Sequence, residues 1–411
     1  MGSEMCIRDS IHVPQSEEAR AEAEILMKVE DQIISPRHGH AIIQPNEDHV
    51  TGVYLLTKKE TEFTKDEAMD MLARCGIYEL PKPDRKDKYS GKLLFSQLLP
   101  KGMNFEGKTK LCKCVRCPKE KCPTEGYVII KNGKLVAGAL EESMFASELI
   151  EYIVAHYGNK VAKDFIDKST AMINYVITRK GFSVSMDHYT VPKELKEKIK
   201  EIVERGDKEV NALVMQYKNK TLERLPGKTL RETLEEKVMG VLSEVRNECG
   251  KLLEKEFTFE NPAILMAKTG ARGSMLNVTM MSAVVSQQAV RNKRLKRGYK
   301  RRVLSHFKKG DIGARAKGYI MSNFMEGLNP VEYFFHSMGG RESMVNTAIR
   351  TARSGYMQRR FINALQDLVV GKDLTVRDAS NAIIETRYGD DGIDPMKAIK
   401  VGEVVTGPER E

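Results

Sequence analysis

Four cysteines stand within eleven residues in the stretch CKCVRCPKEKC, at Cys112, Cys114, Cys117 and Cys122. Thiolates spaced C-x-C-x2-C-x4-C suit tetrahedral coordination of one Zn2+, and the lysines and arginine between them favour deprotonation. Such a centre is structural, because four sulfurs leave no open coordination position. The spacing is tighter than that of two standard zinc knuckles, and a loop of reduced, unligated thiols is the alternative. The other cysteines, Cys6, Cys75 and Cys249, are scattered, so the seven do not form an even secreted framework and point to a reducing compartment.

Positive charge is the second chemical feature. From Asn261 to Gly310 there is no Asp or Glu, while Lys268, Arg272 and ten residues between Arg291 and Lys309 are basic. That stretch suits a polyanion, with Tyr299 and Phe307 available for packing or stacking; a solvated charged face is the alternative. KTGARGS, Lys268 to Ser274, offers two cations and two glycines for a close approach to phosphate, but it lacks the Gly-Lys-Ser/Thr ending of a Walker A loop. YGDDGIDP, Tyr388 to Pro395, clusters three aspartates and reads as a solvated turn, since the further ligands of a calcium loop are missing. No Gly-x-Ser-x-Gly elbow, His-Glu-x-x-His or dinucleotide fingerprint occurs.

The elements that must position these groups follow from pattern. With 411 residues, 41% hydrophobic and 30% charged, the chain has room for several domains and a sizeable core. It has no apolar run of about 18 residues and no apolar signal-peptide core, so no membrane span is expected and the cytoplasm is the expected compartment. Residues 1–10, MGSEMCIRDS, read as a non-native start. From about residue 33 to 185 short β-prone runs alternate with short helices, and Asn132-Gly133 between apolar runs signals a hairpin. Residues 193–257 predict two charged helices separated at Pro226-Gly227, an exposed antiparallel pair.

The last long helix opens at GLNPVE, with Asn329 as N-cap, Pro330 first in the helix and Glu332 third. A helix to about Leu365 spans on the order of 50 Å, enough to cross a cleft. It contains Gly339, Gly340 and Gly355, each costing roughly 1 kcal/mol relative to alanine, and two shorter helices joined at Gly339-Gly340 are equally compatible with periodicity. The fold class expected is multidomain α+β: a mixed α/β region, then a mainly helical one, then a long helix.

IHVPQSEEARAEA, ARGSMLNVTMMSAVVSQQ, GLNPVEYFFHSMGGRE and TARSGYMQRR together resemble the largest subunit of multisubunit DNA-directed RNA polymerases, over essentially everything after residue 10. The chain looks most like the C-terminal portion of the archaeal A prime polypeptide, one of the two into which the largest subunit is split. The resemblance implies a nucleotidyltransferase subunit that works with template DNA and RNA, the second-largest subunit, the second polypeptide of the split subunit, and further subunits. It implies the tail of the active-site barrel at 11–30, a pore domain at 31–190, a funnel at 191–310, and a bridge helix with the start of the cleft at 311–411. The mobile trigger loop belongs to the second polypeptide.

In this family three aspartates of an Asn-Ala-Asp-Phe-Asp-Gly-Asp motif precede HVPQSEEARAEA and hold catalytic Mg2+. MCIRDS stands there instead, and Asp9 matches neither spacing nor neighbours. The chain alone is therefore expected to be inactive. A noncatalytic nucleic-acid-binding or regulatory protein built on the same architecture is the alternative.

Residue by residue, the resemblance sets Thr351 and Ala352 at the templating base, Gly355 and Tyr356 beside it, and Arg359 and Arg360 on nucleic acid. Lys268 and Arg272 fall where triphosphates approach through the funnel, although relatives often carry lysine in place of Arg272. Gln287 and Gln288 match a pair lining the pocket beneath the bridge helix, and Arg341 and Glu342 match that helix's N-terminal part. The family's zinc sites lie in other parts of the subunit, so zinc at Cys112 to Cys122 rests on spacing alone.

Overall fold

The computed structural model describes residues 13–112, 114, 117–296, 298–396, 399–401 and 404–406. Expectations for residues 1–10 lie outside the described residues. The architecture is mixed α/β, with eleven α-helices and several small antiparallel sheets among the described residues.

An exposed helix α1 (Glu17–Ile25), N-capped by Ser16, precedes the first core. That core is built by α2 (Asp48–Thr57), α3 (Lys65–Arg74), α4 (Gly91–Ser96), α5 (Leu149–Tyr157) and α6 (Asn159–Lys180). The short pair β1 (Glu62–Phe63) and β2 (Tyr89–Ser90) ties α3 to α4. Phe95, Phe145 and Phe165 meet edge to face at its centre, with centroids 6.0–6.2 Å apart. Gly91 opens α4 because a Cβ there would stand 1.8 Å from the Leu56 carbonyl oxygen at the end of α2. Against these helices lies an antiparallel sheet of β3 (Phe105–Lys108), β4 (Tyr127–Lys131) and β5 (Lys134–Ala137). The β4–β5 turn is the expected Asn132-Gly133, both residues at positive φ (53° and 73°), the geometry whose twist matches paired strands.

The charged region folds as the expected antiparallel pair, α7 (Lys193–Lys218) and α8 (Leu230–Glu256), turning at Pro226-Gly227. Leu195, Ile199, Val203, Val210 and Val214 form one buried stripe and Leu234, Val238, Leu242, Val245, Cys249 and Leu253 the other, each following the helical period. Charge covers the outside; an apolar seam holds the pair. Two short helices follow, α9 (Pro262–Thr269) and α10 (Met275–Ser282), then two strand pairs, β6 (Ser286–Gln287) with β9 (Tyr319–Ile320) and β7 (Ala289–Val290) with β8 (Lys293–Arg294).

The last helix, α11 (Pro330–Leu365), is one unbroken rod of 36 residues. The two-helix alternative is excluded: the chain stays helical through Gly339-Gly340, and neither glycine takes the positive φ that ends a helix. Beyond it β10 (Val369–Val370), β11 (Val376–Arg377) and β12 (Ile383–Glu385) form a small sheet, and β13 (Ile399–Val401) pairs with β14 (Val404–Thr406). Among the described residues no helix is long and apolar enough to cross a membrane.

Candidate functional site

Among the described residues, the long helix is anchored at its N-terminal end. Asn329 Oδ1 accepts the Glu332 N–H at 2.9 Å, and the Glu332 carboxylate accepts the N–H of Asn329 (3.2 Å) and of Met321 (3.1 Å) and the Ser322 hydroxyl (2.8 Å). One buried carboxylate thus serves as the capping partner and as the clamp to the end of β9. One turn on, Phe335 is 1% exposed among Leu295, Val303 and Phe307, whose ring stacks on it at 6.1 Å. Phe307 is therefore a packing residue.

Next along the helix, Gly339 faces Gln288, and a Cβ on Gly339 would stand 2.9 Å from Gln288 Oε1. Glu342 closes the docked part by accepting the Arg291 N–H at 2.8 and 3.0 Å. Gln288 lies under the helix, whereas the Gln287 amide turns inward and donates to the carbonyls of Gln288 (2.7 Å) and Lys317 (2.8 Å).

Among the described residues, no side-chain hydrogen bond or ion pair ties the rod beyond Glu342 to another element. Thr351, Ala352, Gly355, Tyr356, Arg359 and Arg360 are all exposed. Their spacing places them in two adjacent rows on one side of the helix, residues i and i+4 being neighbours. The Arg360 guanidinium lies 4.4 Å over the Tyr356 ring, which is itself 62% exposed. Small residues thus form a shallow step bordered by an aromatic face and cations. Met357, Phe361 and Leu365 line a separate groove on the helix surface.

Electrostatics sharpen this surface. No Asp or Glu lies between Glu342 and Asp367, while Arg350, Arg353, Arg359 and Arg360 do. Arg350 and Arg353 extend the positive surface beyond the residues singled out from sequence; the acid-free interval within the helix was the available signal.

The basic run before the helix needs a correction. Arg294 does not face phosphate: its side chain is 0% exposed and makes a two-pronged pair with Glu235 of α8 at 2.9 and 3.2 Å, plus a bond to the Ile312 carbonyl. Arg302 spends its guanidinium on the carbonyls of Ser305 and Phe307. Part of the charge is internal structure, because these cations meet carboxylate and carbonyl partners within the fold.

The residues expected along the triphosphate path are held separately. Lys268 lies 3.6 Å from Glu254 and over the Phe259 ring at 5.4 Å, and exposed Arg272 pairs with Glu47 at 2.5 Å. Their exchange of a carboxylate for a phosphate is chemically available, most easily at Arg272, which is the more exposed.

The cysteines converge. All four Sγ atoms lie within 4.8 Å of one another, with Cys112 and Cys122 buried and 3.8 Å apart. Burial and the neighbouring thiols of Cys112 and Cys122 push Cys117 up to about 12. Burial also pushes Cys122 up, but the Thr124 hydroxyl and the N–H groups of Thr124 and Gly126 outweigh it and bring that thiol down to about 6. The donor set fits a metal ion; among the described residues it is the one such group. Asp391 and Asp394 instead accept N–H groups within their own turn, as a solvated turn should.

Comparison with known proteins assigns the chain to a family. Families described as RNA polymerase Rpb1 domain 3, domain 4 and domain 5 match residues 32–189, 214–320 and 327–406 in that order. The chain is 47% identical over 95% of its length to DNA-directed RNA polymerase subunit Rpo1N of Thermococcus celer, covering 46% of that protein. It is 45% identical over 95% to Rpo1N of Methanothermobacter thermautotrophicus, covering 45%, and 38% identical over 96% to that of Sulfolobus acidocaldarius, covering 47%. The chain spans less than half the length of these relatives. With three consecutive domains matched and archaeal relatives aligned along nearly its whole length, the chain belongs to the family of RNA polymerase largest subunits.

Proposed function

We propose that the chain is the later portion of the archaeal A prime polypeptide and works inside a DNA-directed RNA polymerase. It supplies the tail of the active-site barrel (11–30), the pore (31–190), the funnel (191–310) and the bridge helix with the start of the cleft (311–411). Its partners are template DNA, nascent RNA, the second-largest subunit, the second polypeptide of the split subunit, and further polymerase subunits. Its compartment is the cytoplasm.

The observation that carries this reading is the anchoring of α11 at its N-terminal end. Glu332, Phe335, Gly339 and Glu342 fix its start, and an exposed, acid-free stretch then presents Thr351, Ala352 and Gly355 beside Tyr356, Arg359 and Arg360. Small side chains leave space for a base, the tyrosine offers a stacking face, and the arginines balance phosphate charge. Holding the templating base in register is an entropic contribution to polymerisation. Arg272, with Lys268 behind it, guides triphosphates inward, and Gln288 supports the helix from below. Mg2+ of the complete enzyme supplies the nucleotidyl-transfer chemistry, and the residues of this chain position the template and substrate.

A chimera tests the assignment. Residues 11–406 replace the corresponding stretch of Rpo1N in a reconstituted Thermococcus celer polymerase. Assembly with template-dependent RNA synthesis is expected; assembly without synthesis, or failure to assemble while the folded chain is intact, contradicts it.

A further inference from the structure

The β3–β4 connection, residues 109–126, is far longer than the roughly 2–5 residues usual in a hairpin, and a loop of this length needs something to hold it. It has little core of its own: Leu111, Cys112 and Cys122 are its buried apolar residues among those described. What it does have is four thiols brought to one point from both of its arms.

We propose that Cys112, Cys114, Cys117 and Cys122 bind one structural Zn2+ that closes this loop. Zinc–sulfur bonds of about 2.3 Å at tetrahedral angles place sulfurs about 3.8 Å apart. Cys112 and Cys122 already stand at 3.8 Å, and all four sulfurs fit within 4.8 Å. The cysteines are not disulfide-bonded, so every sulfur is free to ligate.

Two further features suit a metal rather than a nest of idle thiols. Gly126 passes so close to Cys112 that a Cβ would stand 2.4 Å from its backbone nitrogen, so glycine lets the two arms meet at the ligand pair. A tetrathiolate zinc carries two net negative charges, and Lys108, Lys110, Lys113, Arg116, Lys119 and Lys121 surround it in sequence. Of these, Lys108 Nζ already donates to the Cys114 carbonyl at 3.2 Å. The set has four sulfurs and no open position, so the metal organises the chain and takes no part in a reaction.

The loop also transmits its order to the core. Glu125 follows Cys122 and donates its N–H to the Cys122 carbonyl at 3.1 Å. Its carboxylate accepts the Lys59 N–H at 3.1 and 3.2 Å and pairs with Lys92 at 2.9 Å. Zinc therefore fixes the point where the β-sheet loop is clipped to the end of α2 and the start of α4. Removing it frees the loop while the phenylalanine core stays packed.

The test is metal content of the full chain by mass spectrometry, which is independent of transcription and so of the polymerase reading. The purified chain should carry one zinc and no iron, and Cys114→Ser and Cys117→Ser, at the less buried ligands, should each lose it. Should these variants fail to fold, the wild-type chain still decides: a mercurial reagent should release zinc as four thiols react, and Co2+ exchanged into the site should give the intense visible bands of a tetrahedral thiolate. Chelation should also speed trypsin cutting of the loop at Lys119. A wild-type chain without zinc, iron in its place, zinc retained in both serine variants, or trypsin cutting indifferent to chelation would overturn the proposal.

Discussion

Gly339 rides over the Gln288 amide so closely that a Cβ would stand 2.9 Å from Oε1, whereas Gly340 and Gly355, in the same helix, have nothing within 4 Å of theirs. The three glycines therefore have different reasons to exist. The contact at Gly339 is with the movable end of a side chain, so Gly339→Ala should be nearly neutral in stability. Gly340→Ala and Gly355→Ala should stabilise the isolated chain by up to about 1 kcal/mol, measured by thermal unfolding. If Gly355 is instead the step for a templating base, Gly355→Ala should also slow elongation in an assembled polymerase. A gain in stability without that loss would assign Gly355 no functional part.

Glu332 concentrates the anchoring of α11. Its carboxylate accepts from Asn329, Met321 and Ser322, so Glu332→Ala removes the cap and leaves buried donors unpaired. The expected loss is roughly 1–3 kcal/mol by denaturant unfolding, with Asn329→Ala costing about 1 kcal/mol. A Glu332→Ala chain as stable as wild type would show that the clamp does not hold the helix.

The Arg294–Glu235 pair predicts an asymmetry. Glu235→Ala strands a buried guanidinium and should cost roughly 3–5 kcal/mol, while replacing both partners by well-packed apolar residues should cost far less. The pH dependence follows. Burial pushes Glu235 up, but the Arg294 guanidinium outweighs it and holds the carboxyl below its ordinary value. The pair's contribution should be fully present above the unfolded-state pKa of about 4.3 and lost as pH falls through the lower folded-state value. Acid unfolding of wild type against the apolar double variant reads this directly.

Charge on the exposed rod should emerge as salt dependence. Arg359→Gln with Arg360→Gln should weaken DNA binding by the assembled polymerase and flatten the salt slope by roughly 2, about 0.9 per lost phosphate contact. An unchanged slope, measured by fluorescence anisotropy across salt concentrations, would show that these arginines meet no phosphate.

Legibility in the sequence followed the range of the physics. The Asn329 cap and the Asn132-Gly133 turn are set by residues within four positions, and both stand where local chemistry put them. The α7–α8 seam was readable because its buried residues follow the helical period. Arg294 was not, because its partner Glu235 lies 59 residues away and nothing in a basic run tells which cation is enclosed. Likewise, paired glycines are a stop signal only where the backbone turns left-handed, and in α11 the docking of Phe335 and Glu342 on either side carries the helix through. The cysteine spacing implied proximity, while the clip through Glu125 to Lys59 and Lys92 needed the fold.

The proposed role of α11 rests on the exposed face around Ala352 positioning the templating base. Single-nucleotide addition by a reconstituted complete polymerase carrying Ala352→Trp in this segment reads that role. Slowed elongation with assembly and helix content intact is expected, because the indole occupies the space left by Thr351, Ala352 and Gly355. Elongation at the wild-type rate would contradict it.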